Sequence, residues 1–125
     1  MLLLAGCSAT GLHRPASAGF VEGLVTTVQG EPVAGAVVTA VARPTPFASV
    51  FAQDSARSDA AGHYRILLRT AQLMESDAVV AFSVRAPAGA PLGSADTSIV
   101  AVHFSPASPP PDTTRIGFHL PYLPD

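Results

Sequence analysis

The chain has 125 residues, enough for one domain whose core needs no disulfide staple, and its single cysteine cannot form an internal disulfide. A net charge of -2 supplies neither a basic footprint for nucleic acid nor a polybasic patch for anionic lipid, so nucleic acid is not an expected partner. Charged residues make up 13% and apolar residues 48%, which excludes a disordered charged chain; the 12 prolines and 10 glycines, among abundant valine, alanine and threonine, favour short strands over helices.

At the N-terminus, Leu4-Ala5-Gly6-Cys7 sets the cysteine directly after two small residues and an apolar run. This tetrapeptide resembles the lipobox of bacterial lipoproteins. The resemblance implies that residues 1–7 are the tail of a secretory signal and that the Cys7 thiol carries lipid. Everything after it is then tethered to a membrane outside the cytoplasm, in the periplasm or at the cell surface. Only Met1 to Leu4 precede the small residues, short of the roughly 7–15 apolar residues of a signal, so a start upstream of Met1 is expected. No later run approaches the roughly 18 apolar residues of a membrane span, which leaves Cys7 as the expected membrane contact. Residues 8–19 (SATGLHRPASAG) have the small, polar composition of a flexible spacer, and residues 20–125 are expected to be the folded domain.

Phe20 to Val28 reads as a first strand closed by the Gln29-Gly30-Glu31-Pro32 turn. Val33 to Arg43 reads as a second, apolar on nearly both faces and hence central, stopped by Pro44-Thr45-Pro46. The strip Pro44 to Ala52 (PTPFASVFA) either displays Phe47 and Phe51 to a partner or, the favoured reading, packs both into the core as an edge strand. Ser58 to Gly62 is a turn in which Asp59 caps amides and Gly62 takes a positive φ; it launches His63 to Arg69, where Tyr64, Ile66 and Leu68 alternate with His63, Arg65 and Arg69. Thr70 to Asp77 (TAQLMESD) has room for one helical turn. Ala78 to Ala86 alternates again, with Val80, Phe82 and Val84 on one side. Ser98 to Phe104 places Val100, Val102 and Phe104 inward, and Thr113 to Leu120 does the same with Ile116, Phe118 and Leu120. Between them lies the stiff, polyproline-like Ser105 to Pro111. About seven short strands with regular turn signals predict an all-β, antiparallel β-sandwich, with a barrel as the alternative.

Three stretches add a second resemblance: Val21-Glu22-Gly23-Leu24-Val25, Gly30-Glu31-Pro32-Val33-Ala34-Gly35-Ala36-Val37-Val38 and Ser58-Asp59-Ala60-Ala61-Gly62-His63-Tyr64-Arg65-Ile66. In this order they are similar to the carboxypeptidase regulatory-like domain family, which carries a G-x-V strand, a G-x-P-x-x-G-A-x-V strand and a T/S-D-x-x-G-x-Y turn. The match spans the first half of the folded region. It implies a Greek-key sandwich of about seven strands, transthyretin-like or immunoglobulin-like, used as an accessory or binding module without enzyme activity. Gly35 and Ala36 are expected to let the second strand run close to its neighbour, and Tyr64 to enter the core. From Ala71 to Asp77 the chain departs from the family pattern, and the order of the last strands stays open.

Candidate chemistry is sparse. Of the four histidines, His63, His103 and His119 fall on outward registers, and pairing of the last two strands would bring His103 and His119 close. Neither has a carboxylate or cysteine beside it at ligand spacing, so no metal and no cofactor is expected. Asp54, Asp59 and Asp77 lack the spacing of a calcium loop and are expected to cap turns. There is no Gly-x-Ser-x-Gly elbow, the Tyr-Arg-Gly-Ser terminus of hydroxyisourate hydrolases is missing, and so is the His-x-His segment of intradiol dioxygenases; no catalytic residue is expected. The sequence therefore predicts a lipid-anchored, extracytoplasmic binding or structural module at a bacterial envelope, with an unidentified protein or carbohydrate partner. The alternatives are a small hydrolase or metal-dependent enzyme on the same fold, and a transthyretin-like oligomer with a small ligand between subunits.

Overall fold

The computed structural model describes residues 17–96, 100–106 and 113–124. The described residues form strands and no helix: β1 (Ser17–Thr27), β2 (Val37–Arg43), β3 (Ala52–Arg57), β4 (His63–Thr70), β5 (Ser76–Arg85), β6 (Ala95–Asp96), β7 (Val100–Phe104), β8 (Thr113–Arg115) and β9 (Phe118–Leu120). They make two sheets. In the first, β1 is central, antiparallel to β4 from Ser17↔Thr70 to Leu24↔His63 and parallel to β8 and β9 on its other side. In the second, β2 lies between β3 and β5, while β6 and β7 share the far side of β5, all antiparallel. This all-β, antiparallel-rich, two-sheet arrangement is consistent with the expected β-sandwich.

Burial follows the two-residue period of the sequence. In β4, Tyr64, Ile66 and Leu68 are buried while His63, Arg65 and Arg69 face water. In β5, Ala78, Val80, Phe82 and Val84 point inward, and Val38, Ala40 and Ala42 do so in β2. One buried cluster contains residues of both sheets, centred on Phe82, Phe118 and Tyr64, with Phe118 5.8 Å from the Phe82 ring and 5.9 Å from the Tyr64 ring. The turn ahead of β4 forms as read: Asp59 Oδ1 accepts from the amides of Ala61 and His63, both at 2.9 Å, and Gly62 has φ of 85°. A Cβ on Gly62 would lie 2.6 Å from the Val25 carbonyl oxygen, so both space and conformation require glycine there.

Several expectations are corrected. β1 begins at Ser17, so the last three residues assigned to the spacer are strand, paired with Arg69 and its neighbours; Cys7 and residues 8–16 lie outside the described residues. β2 begins at Val37 and not at Val33, because Gly35 has φ of 78°, a turn conformation rather than a close approach between strands. β2 is central, but its faces differ, with Val38, Ala40 and Ala42 buried and the intervening residues half-buried. Thr70 to Asp77 forms no helical turn: Thr70 ends β4, Ser76 opens β5, and residues 71–75 are an irregular connection. The last strand splits at Ile116-Gly117 and runs parallel to β1, so His103 and His119 belong to different sheets. Beyond the proline-containing connection, whose residues 107–112 lie outside the described residues, the chain joins the opposite sheet. The strip Pro44 to Ala52 divides. Phe51 packs on Phe104 with ring centroids 5.2 Å apart, whereas Phe47 is fully exposed.

Candidate functional site

The outward register of the first sheet carries the most developed surface feature. Cross-strand pairing sets Glu22 beside Arg65 of β4 on one side and Arg115 of β8 on the other, and Leu24 beside His63. Glu22 accepts from Arg115 Nε at 3.1 Å and lies 3.8 Å from Arg65 Nε. Arg65 also stands over the Phe20 ring, 5.3 Å from its centroid. The two arginine side chains remain 73% and 77% exposed, so their outer guanidinium nitrogens are open to a further acceptor. These ion pairs are solvent-screened and add at most about 1 kcal/mol each to stability; their use is to fix where the guanidinium groups stand.

An open depression of about 670 Å³ lies among these side chains, lined also by Leu24, His63 and Tyr64. Its geometry comes from the split in the last strand. Between β8 and β9, Ile116 turns its carbonyl under β1, where Tyr64 Oη donates to it at 2.7 Å, while Ile116 N donates to Glu22 O at 3.1 Å. Gly23 makes the room, since a Cβ there would stand 1.9 Å from the Ile116 oxygen. Burial pushes the Tyr64 phenol well above its usual range, which keeps the hydroxyl protonated and donating. Thus a buried tyrosine from β4 anchors the edge on which Arg115 stands.

A second cluster involves His103. Because β5 and β7 pair with Asp77 opposite His103, the imidazole lies between two carboxylates, Nδ1 2.9 Å from Asp77 Oδ1 and Nε2 2.6 Å from Glu75 Oε2. Ser105 Oγ donates to the other oxygen of Glu75 at 3.3 Å. Hydrogen bonds to Glu75 first and Asp77 second raise the His103 pKa above its ordinary 6.5. No carboxylate stands at ligand spacing beside His103 in the sequence, yet strand register brings in two from 26 and 28 residues away. With both ring nitrogens engaged by carboxylates, the cluster is an ion-paired surface triad. Among the described residues, no group of three metal-type side chains is arranged to hold an ion.

The remaining candidates separate. His63 is exposed beside the depression, and His119 lies within 2.7 Å of Thr26 Oγ1 on β1. Asp59 caps its turn as expected; Asp54, inside edge strand β3, accepts from the Ser55 amide, and Asp77 serves His103 instead of a turn. The sequence reading missed Glu22, Arg65 and Arg115 as a group. Alternation marks Arg65 as outward on its strand, but Glu22 and Arg115 join it only through the antiparallel pairing of β1 with β4 and the parallel pairing of β8 with β1. Among the described residues no helix is long and apolar enough to cross a membrane. No family model matches the sequence, and no curated protein matches it.

Proposed function

We propose that the chain is a lipid-anchored, extracytoplasmic accessory module of the carboxypeptidase regulatory-like kind, with a Greek-key sandwich topology, that binds a carboxylate-bearing partner and performs no catalysis. The observation that carries the binding reading is the depression on the outer face of the first sheet, where Glu22 holds Arg65 and Arg115 in place while leaving both guanidinium groups exposed. Paired guanidinium groups beside an apolar side chain, Leu24, suit a carboxylate attached to a less polar body. The anchor reading rests on Leu4-Ala5-Gly6-Cys7 and on the small, polar composition of the residues that follow it.

The test is an amide chemical-shift titration of the full chain with hexaglutamate, and with hexalysine as control. Hexaglutamate is expected to shift the amides of Leu24, His63 and Arg115 saturably, and the double variant R65A/R115A to lose the response. Equal shifts from hexalysine, or a response unchanged in the double variant, would remove the depression as the binding site.

A further inference from the structure

Contacts link three pieces of chain at one end of the fold. Ser17, the first residue of β1, accepts from the Met74 amide at 2.8 Å and donates to the Met74 carbonyl at 3.2 Å, which pins the 71–75 connection to the place where the chain leaves toward Cys7. The next residue, Ala18, exchanges backbone hydrogen bonds with Ser105, both 3.0 Å. Ser105 follows Phe104, whose ring packs on Phe51 at the base of the 44–51 loop, itself closed by Phe51 N donating to Ala42 O at 2.9 Å. The tether origin and these two loops therefore share one end.

The tips of both loops are apolar and unburied. Phe47 is 100% exposed, Val50 41% and Leu73 78%. A fully exposed phenylalanine and a largely exposed leucine keep in water the side chains that gain most from leaving it. Arg43 ends β2 and Arg69 is the penultimate residue of β4 at the same end, and the acids there, Glu75 and Asp77, are engaged by His103. The opposite end also exposes Val28 and Leu123, at 57% and 53%, but the chain does not leave there toward Cys7.

We propose that this end is a membrane-contacting face, with Phe47 and Leu73 seated in the interfacial layer of the bilayer that a lipid on Cys7 would hold within reach. The inference rests on the lipid-anchor reading above, and it adds a defined orientation: the strands stand off the membrane with the 44–51 and 71–75 loops against it. That side chains of this type enter the headgroup and acyl boundary follows from the same transfer free energy that drives interfacial helices, here supplied by two loop tips and a tether. Tethering removes the cost of recruiting the domain from solution, so two side chains suffice to set its orientation.

The chain has no tryptophan and one cysteine, so F47W is a single fluorescent reporter, and Cys7 can be coupled chemically to a maleimide-headgroup lipid in vesicles of phosphatidylethanolamine and phosphatidylglycerol. Both F47W and the control V28W alter exposed positions. The coupled F47W protein is expected to show blue-shifted emission and quenching by brominated acyl chains, V28W neither, and adding L73S to weaken F47W insertion by about tenfold. F47W that stays as solvent-exposed as V28W, or V28W quenched more than F47W, would overturn the proposal. Because coupling replaces biological acylation, a failed contact face shows here, whereas a failed anchor shows separately in the mass of Cys7 from cells.

Discussion

Gly23 and Tyr64 act on the same atom, and this makes their energies interdependent. A Cβ at position 23 would sit 1.9 Å from the Ile116 oxygen and 2.8 Å from its carbonyl carbon, both backbone atoms. No rotamer relieves that clash; the Ile116 peptide must move, and with it the junction of β8 and β9. Overpacking of this kind costs about 1–3 kcal/mol, and backbone displacement puts G23A toward the upper limit. The Y64F variant keeps the ring against Phe118 but removes the 2.7 Å hydrogen bond to the same carbonyl, at about 1 kcal/mol. Once G23A has displaced the carbonyl, the tyrosine hydroxyl has little left to lose. The double variant should therefore be less destabilised than the sum of the singles, by about 1 kcal/mol. Thermal unfolding measured by circular dichroism reads this directly, at roughly 4–8 °C per kcal/mol for a domain of this size. Strictly additive shifts, or a G23A protein as stable as the parent, would refute the reasoning that the last strand is seated by this carbonyl.

Other substitutions probe separate parts of the fold. F118A removes a 4% exposed ring that touches both Tyr64 and Phe82, and chemical denaturation should show a loss of about 3–5 kcal/mol. Ser58 Oγ donates to Val33 O at 2.6 Å and accepts from Ala36 N at 2.9 Å in a buried site, so S58A should cost about 1–3 kcal/mol, while S58T, which keeps the hydroxyl, should recover part of it. His103 has its folded pKa raised above 6.5, so its stabilisation is fully present below that value and is lost as pH rises through the folded pKa. Melting temperature should accordingly fall across that window in the parent and not in H103N; an unchanged pH profile in H103N would show that the step belongs to another group.

How much of this was legible in the sequence varied with the range of the interaction. Where one residue's environment is set by its own strand, the period of two sufficed: Tyr64, Ile66 and Leu68 are buried as read, and so are Val80, Phe82 and Val84. The Asp59 to Gly62 turn was equally legible, because its hydrogen bonds close within five residues. Legibility failed where pairing between distant strands decides the outcome. Nothing near His103 in sequence announces Glu75 or Asp77, and Arg115 reaches Glu22 only because β8 lies parallel to β1. The Phe47 and Phe51 strip shows a further limit. Two phenylalanines four residues apart share composition and neighbourhood, yet only Phe51 adjoins β3 and meets Phe104, while Phe47 stands at the loop tip.

The central claim, that this fold works while tethered to a membrane through Cys7, is tested most directly by metabolic labelling with an alkyne fatty acid, with the protein expressed from its own gene in a bacterial host. The parent protein is expected to be labelled, to sediment with membranes and to yield a mature N-terminal peptide starting at a triacyl or diacyl Cys7, and C7S to lose the label and its membrane association. An unlabelled parent protein with an unmodified Cys7 would contradict it.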